Sequence, residues 1–176
     1  IRIRIKGVKS TRQITKAMQM VATSKMKKAQ DSAKSGRPYA LLLADIIVSI
    51  ADEFLEVTND YFMERPVKHR GILVIGTDKG LCGALNSNLF RMLSEVDSSA
   101  KFVAIGKRAT QYLSRTRRDL LADFSLPDKP SFSDVKKVVE FLLRNYNDGN
   151  IDTIEVLYTG FINTLRQEPE LIPLFP

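Results

Sequence analysis

The sequence predicts a protein of the α/β class, with a long N-terminal coiled-coil helix followed by an α/β domain built on a largely parallel sheet. Three observations support this class. Apolar residues recur at coiled-coil spacing through roughly the first 57 residues. Two short apolar runs each end at a glycine, and helix-type segments alternate with these runs. We therefore expect two parts, residues 1–60 and residues 61–176.

The N-terminal part carries a seam of small and apolar residues at heptad a and d positions. We expect Pro38, preceded by Gly36, to bend the helix because proline lacks an N–H. Where the seam is poor, Ile14, Met18 and Val21 offer a rival stripe. A helix of this length needs a partner helix, in another chain or in a missing C-terminal part of this one. The seam residues are Ala22, Met26, Ala29, Ala33, Leu43, Ile47 and Ile50.

The second part alternates strand-type and helix-type segments. Continuous apolar runs such as 71–76 and 101–106 are typical of buried parallel strands. Ser133 is the expected N-cap of the last helix. Residues 161–165 either extend the last strand or form a fifth, and the proline-rich tail is expected to be extended or irregular. The order predicts a Rossmann-like domain with helices on both faces of the sheet. The expected elements are strand 71–76, helix 84–96, strand 101–106, helix 107–117, strand 119–124, helix 134–146 and strand 153–159.

Composition excludes several classes of site. The chain has 27 basic and 20 acidic residues, for a net charge of +7, and residues 1–40 alone carry +10, so the remainder carries −3. Such a basic arm favours a negatively charged partner. One Cys and one His exclude an internal disulfide and multi-cysteine or His-rich metal sites, and they disfavour a His-based catalytic triad. No apolar run approaches about 18 residues, so no membrane span is expected.

The loop at 76–83 is glycine-rich, and glycines between a strand and a helix are typical of phosphate-binding loops. The glycines at 76, 80 and 83 match neither the dinucleotide nor the P-loop spacing, so we favour a tight turn and close helix–sheet packing. Cys82 has a catalytic alternative, but we favour a buried small hydrophobe. For Asp78 we favour a hydrogen bond to its own loop backbone over a general acid or base.

Four segments, in order along the chain, carry a family resemblance. They are Ile14–Ala29 (ITKAMQMVATSKMKKA), Gly36–Tyr39 (GRPY), Thr77–Asn86 (TDKGLCGALN) and Phe161–Thr164 (FINT). Together they resemble the gamma subunit of ATP synthases. Many members of that family have Arg in place of Lys79 and Gly in place of Ala84, and a longer connection near Ser94–Lys101. The family continues into a long C-terminal helix that winds around the N-terminal one, so the resemblance implies that this chain is incomplete.

The resemblance implies a central rotor subunit that couples transmembrane proton flow to rotational ATP synthesis or hydrolysis. Residues 1–60 would be the shaft helix, half of an antiparallel coiled coil inside a ring of alternating alpha and beta subunits. Residues 61–176 would contact the epsilon subunit and the ring of c subunits. The subunit would have no catalytic residue and no cofactor or metal of its own, because ATP, ADP and Mg belong to the partner subunits. It would be peripheral on the cytoplasmic face of a bacterial plasma membrane, which is favoured over the mitochondrial inner membrane.

The resemblance and the basic arm also nominate site residues. Arg12, Lys16, Lys25 and Lys28 are candidates for contact with acidic loops of the ring, and Met18 is expected to pack near the ring wall. In the loop motif a structural role is expected for Asp78, Gly80, Leu81, Cys82, Gly83 and Asn86.

Two other classes of function are weighed against the rotor. The first is a nucleotide-binding enzyme domain with a basic coiled-coil arm, which nucleotide binding to the body would reveal. The second is a basic adaptor for nucleic acid. No aromatic residue precedes Tyr39 to stack on a base, and the basic residues lie around the helix, so we expect no nucleic-acid partner.

Overall fold

The computed structural model of the chain describes residues 1–54 and 65–175, apart from the side chains of residues 33 and 50–54. The chain divides into two compact units, Ile1–Thr58 and Asn59–Pro176. The predicted domain boundary between residues 60 and 61 falls outside the described residues and stays a prediction. No helix in the described part combines the length and the hydropathy that crossing a membrane requires.

In the first unit the structure describes helix α1, Arg2–Phe54, which confirms the predicted long N-terminal helix. The helix continues through Pro38, so the proline does not end it; the predicted bend there stays a prediction. The hydroxyls of Thr11, Thr15 and Thr23 each donate to the carbonyl four residues earlier, at 2.9–3.0 Å. These side chains are therefore satisfied within the helix itself.

The second unit is an α/β domain with a five-stranded sheet, which confirms the predicted fold class. The strands lie in the order β3-β2-β1-β4-β5, with β1 to β4 parallel and β5 antiparallel to β4. The elements are β1 Arg70–Ile75, α2 Leu85–Glu95, β2 Lys101–Ile105, α3 Lys107–Arg115, β3 Asp119–Phe124, α4 Phe132–Asn147, β4 Thr153–Phe161 and β5 Gln167–Phe175.

Helices cover both faces of this sheet, as the strand–helix alternation predicts. On one face, Leu89 of α2 and Leu113 of α3 pack with Phe102 of β2, and all three are fully buried. On the other face, Val138 and Tyr146 of α4 pack against the opposite side of the same strands. The two clusters together form the core of the domain, which holds the loops at the ends of the strands in place.

The predicted N-cap of α4 at Ser133 is wrong, because Ser131 caps this helix. The Ser131 hydroxyl accepts the backbone N–H of Asp134 at 3.3 Å, and the Asp134 carboxylate accepts the backbone N–H of Ser131 at 2.9 Å. This reciprocal capping box needs an acceptor three residues after the cap. Asp134 provides it for Ser131, which explains why the helix begins at Phe132.

The tail, which was expected to be extended or irregular, is extended, because Gln167–Phe175 forms β5. Phe161 extends β4, and the residues after it turn the chain into the new strand. Pro169 and Pro173 pair with Thr159 and Glu155 of β4. Proline is tolerated in β5 because this strand forms the edge of the sheet, where only one side of its backbone joins the ladder.

Candidate functional site

The predicted seam of α1 lies uncovered along the helix. Met26, Leu43 and Ile47 are 48 %, 44 % and 53 % exposed, and Ala22 and Ala29 are exposed as well. The side chains of Ala33 and Ile50 lie outside the described residues. A stripe of apolar residues on a helix of this length requires another helix to pack against it.

The candidate ring contacts on α1 are all exposed, but the helix places them on different faces. At about 100° per residue, Arg12 and Lys16 lie about 40° apart around the axis. Met18 and Lys25 lie about 120° or more away from both, with Met18 about 40° from the seam residue Ala22. Lys28 is also exposed. The helix therefore offers at least two separate contact surfaces, and their contacts with a ring stay a prediction.

The loop at 76–83 joins β1 to α2 and is held tightly by its neighbours. A Cβ on Gly76 would lie 2.9 Å from the Cβ of Ala109 in α3, so glycine permits close packing of that helix. Gly83 has φ of +62°, a left-handed conformation that favours glycine, and Leu81 shares it with φ of +61°. The expected tight turn and close packing are both present.

Three side chains, from this loop and the first turn of α2, form a hydrogen-bonded cluster. The Asn86 amide donates to the Thr77 hydroxyl at 2.8 Å and to the Cys82 sulfur at 3.2 Å. The Thr77 hydroxyl donates to the carbonyl of Lys79 at 2.6 Å. Cys82 is half-buried and accepts a hydrogen bond, so its description as a buried hydrophobe is wrong in part. The bonds support a structural role for the loop motif, which stays a prediction.

The expected partner of Asp78 is wrong. Its carboxylate accepts the backbone N–H of Lys107, the first residue of α3, at 3.1 Å. The next N–H, of Arg108, donates to the carbonyl of Thr77 at 2.9 Å. The Arg108 guanidinium lies against Gly80. Asp78 therefore accepts the first N–H group of a neighbouring helix, from a residue 29 positions away in the sequence.

The alternative of a nucleotide site finds little support in the crevice beside Asp78. This crevice has a volume of about 240 Å³ and lies at the ends of β1, β2 and β3, with Lys107 and two carboxylates, Asp78 and Asp123, in its wall. Ligand pockets usually measure about 300–1,000 Å³. Nucleotides in such sheets bind where the strand order reverses, which is here between β1 and β4. Among the described residues, no three His, Cys, Asp or Glu side chains are placed to hold a metal ion.

The structure also shows a polar cluster that the sequence analysis missed. The Asp152 carboxylate accepts the backbone N–H groups of Lys68 and His69, both at 2.8 Å. Burial would raise the pKa of this carboxyl, but the bonds from His69 and Lys68 outweigh it, so the pKa lies below its ordinary value. No local sequence signal marks the cluster, because its members are more than 80 residues apart.

Known proteins match this chain over both of its units. The family model described as ATP synthase matches residues 1–176. The "ATP synthase gamma chain" of Opitutus terrae is 50% identical over 176 residues, which cover 100% of this chain and 60% of that protein. The "ATP synthase gamma chain" of Methylacidiphilum infernorum is 43% identical over 175 residues, covering 96% of this chain and 60% of that one.

Solved structures give the same fold. The central stalk and c-ring structure of the Tetrahymena thermophila mitochondrial ATP synthase contains a chain that matches with a TM-score of 0.69 and 25% identity, over 93% of this chain and 72% of that one. A chain in the Euglena gracilis mitochondrial ATP synthase matches in fold, with a TM-score of 0.65 and 19% identity, over 99% of this chain and 56% of that one.

The matched relatives are longer than this chain. The chain spans 60% of the length of the Opitutus terrae and Methylacidiphilum infernorum proteins, so the matches cover 100% and 96% of this chain but only part of those relatives. The family model nevertheless includes both α1 and the α/β domain. Because the family model matches residues 1–176 and these relatives are gamma chains, the chain belongs to the ATP synthase gamma-chain family.

Proposed function

We propose that the chain forms the shaft and body of a central rotor subunit, which couples proton flow across a membrane to rotational ATP synthesis or hydrolysis. The observation that carries this proposal is the family match over residues 1–176, which includes both the long helix and the α/β domain. The subunit itself performs no catalysis. ATP, ADP and Mg are bound by partner subunits.

The exposed seam of α1 supports the coiled-coil part of the proposal. Met26, Leu43 and Ile47 leave about half of their surface open along one side of a 53-residue helix. A second helix, from the part of the family's length that lies beyond residues 1–176, covers this seam in an antiparallel coiled coil. Supercoiling makes the pair stiff enough to transmit torque.

The charge of α1 supports contact with an acidic ring of alternating alpha and beta subunits. Residues 1–40 carry +10, and Arg12, Lys16 and Lys28 form no ion pair with a described residue. Exposed ion pairs contribute only about 0–1 kcal/mol each. Weak, non-directional contacts of this kind hold the shaft while allowing it to turn, and an asymmetric shaft favours a different conformation in each catalytic site.

The α/β domain contacts the epsilon subunit and the c-subunit ring, which holds the complex on the cytoplasmic face of a bacterial plasma membrane. The bacterial relatives and the central-stalk structure support this arrangement. The chain has no role in binding nucleic acid, because its basic residues face a protein ring.

Reconstitution tests the proposal directly. The full-length subunit is combined with bacterial alpha and beta subunits, a bead is attached to its α/β domain, and rotation is recorded after ATP is added. We expect stepwise rotation in one direction. Alpha and beta subunits alone, with the bead attached to a beta subunit, provide the control. A full-length subunit that fails to join the ring, or joins it without turning, contradicts the proposal.

A further inference from the structure

We propose that Asp152 anchors, against torque, the segment through which the chain enters the α/β domain. The anchor consists of Arg65, Lys68, His69, Tyr146 and Asp152, and we call it the β1 clasp. The inference rests on the proposed rotor function and adds to it a residue that positions the chain under torque. Asp152 touches no substrate, so it is a positioning residue.

Hydrogen bonds to and from Asp152 connect the residues that precede β1 with the residue that precedes β4. Its carboxylate accepts the N–H groups of both Lys68 and His69 at 2.8 Å. In return, the backbone N–H of Asp152 donates to the carbonyl of His69 at 2.8 Å. Three bonds therefore join two consecutive residues before β1 to a single residue before β4. Hydrogen bonds to a charged acceptor are stronger than those between neutral groups.

Arg65, three residues before Lys68, connects the same segment to Tyr146 of α4. Its guanidinium lies over the ring of Tyr146, 4.1 Å from the centroid, and Nη1 donates to the Tyr146 carbonyl at 3.3 Å. Tyr146 lies near the C-terminal end of α4 and is fully buried. A cation over a buried aromatic face is an attractive contact, and here it joins the incoming chain to the core of the domain.

The position of the clasp decides what it does under load. Parallel pairing of β1 with β4 starts at Arg70 and Thr153, directly after the clasped residues. A force on the chain before Arg70 reaches the β1–β4 ladder at its first pair, Arg70 and Thr153, before it reaches any later pair. The clasp lies ahead of the first rung and spreads the load over α4 and β4. The clasp therefore takes up part of the torque that enters the domain through the chain before Arg70, ahead of the β1–β4 ladder.

Hydrogen exchange tests the clasp without reference to rotation. In the full-length subunit, Asp152→Ala removes the acceptor of the Lys68 and His69 amides. We expect these two amides to exchange about five-fold faster or more, because each loses a hydrogen bond. Ser131→Ala is the matched control, since it removes a side-chain acceptor of a backbone amide at the other end of α4. In that variant the two amides keep their protection.

Rotation under load tests the function of the clasp. Complexes are assembled with the wild-type subunit, Asp152→Ala or Ser131→Ala. The torque of each complex is measured as ATP drives the rotation of beads of increasing size. We expect Asp152→Ala to match the wild type with the smallest bead and to lose torque progressively as drag increases. Ser131→Ala should show no dependence of its relative torque on bead size. A loss of torque that grows with bead size to the same extent in both variants would indicate general destabilisation and overturn the anchor.

Each outcome decides a separate question. Equal torque for Asp152→Ala and the wild type at every load overturns the anchor while the rotor function stands. If Asp152→Ala does not assemble, Arg65→Ala takes its place, and wild-type torque at every load in that variant overturns the anchor. If the wild-type subunit itself does not turn, the rotor function fails, and the exchange of the Lys68 and His69 amides still tests the bonds.

Discussion

Arg70 and Glu155 are joined by two parallel hydrogen bonds, from Nε to Oε1 at 2.7 Å and from Nη2 to Oε2 at 2.6 Å, between β1 and β4. The Glu155 side chain is only 14% exposed. The bond to Glu155 raises the pKa of Arg70 above its ordinary value, and burial acts in the opposite direction. Two-point contact in a partly buried position makes this pair directional.

Replacing the carboxylate is expected to destabilise the α/β domain. Glu155→Gln leaves the guanidinium charged, half-buried and with a weaker acceptor, and we expect the free energy of unfolding to fall by about 1–2 kcal/mol. Urea denaturation measures it. The control is Glu168→Gln, which breaks the Arg166–Glu168 pair at the same 2.7 Å, where both side chains are about half exposed or more. We expect a much smaller change there, and equal losses in both variants would contradict the role of burial.

The fold was predictable where the signal is local. The apolar runs of β1 and β2 and the alternation with helices are properties of neighbouring residues, and the structure confirms them. The start of α4 was misplaced because Ser131 and Ser133 are both good cap residues, and only the partner carboxylate of Asp134 distinguishes them. Strand β5 was predicted only as an extended or irregular tail, because prolines weigh against a strand and the edge position that permits them is a property of the whole sheet.

The Asp152 carboxylate is expected to make the free energy of unfolding depend on pH in the acidic range. Burial alone would raise its pKa, but the N–H groups of His69 and Lys68 lower it below its ordinary value. The folded state therefore favours the charged form, and this contribution is present above the unfolded pKa of about 3.9 and is lost as pH falls through the lower folded pKa. We expect wild-type stability, measured by urea denaturation, to fall more than that of Asp152→Asn between about pH 5 and about pH 2.

This comparison isolates one carboxyl among several. Asp97 and Asp134 also have lowered pKa values, held down by their bonds to Ser99 and Ser131, and both are present in the two proteins. Their effects cancel in the difference. Parallel loss of stability in wild type and Asp152→Asn as the pH falls would show that the Lys68 and His69 bonds do not depend on the charge.

The candidate site was predictable only where its residues are contiguous. The loop from Thr77 to Asn86 could be singled out because its glycines, Cys82 and Asn86 follow one another in the sequence. The contact of Asp78 with Lys107 and the contact of Asp152 with His69 join segments far apart. Pairs of this kind depend on the register of parallel strands, which the residue pattern of one strand does not determine.

Gly76 is expected to resist substitution because Ala109 of α3 leaves no space for a side chain there. An added Cβ would lie 2.9 Å from the Cβ of Ala109 and 3.2 Å from its backbone N, so helix α3 would have to move. We expect Gly76→Ala to destabilise the domain by about 1–3 kcal/mol, as overpacked cores do. Gly7→Ala is the control, because nothing lies within 4 Å of the new Cβ in α1. Alanine stabilises a helix interior by about 0.5–1 kcal/mol relative to glycine, so opposite shifts in thermal denaturation are expected.

The two surfaces of α1 are expected to respond differently to salt. Arg12 and Lys16 lie on one face of the helix, and their proposed contacts with an acidic ring are exposed charge pairs. We expect Arg12→Glu combined with Lys16→Glu to lower ATP-driven proton pumping per ATP hydrolysed at low salt. The loss should shrink as ionic strength rises, because a Debye length of about 10 Å at 0.1 M falls to about 3 Å at 1 M.

Met18 lies on the other surface, next to the seam, and is 60% exposed on α1. We expect Met18→Lys to lower the same coupling ratio, because a long charged side chain replaces an apolar one where the ring wall and the partner helix approach. Steric crowding and desolvation are screened little by salt, so this loss should persist at high ionic strength. The control is Met20→Lys, the same substitution at a methionine that is 61% exposed and lies about 160° from Met18 around the helix axis. Wild-type coupling in Met18→Lys at all salt concentrations would remove Met18 from the contact surface, and a loss that disappears with salt would assign it to charge instead of packing.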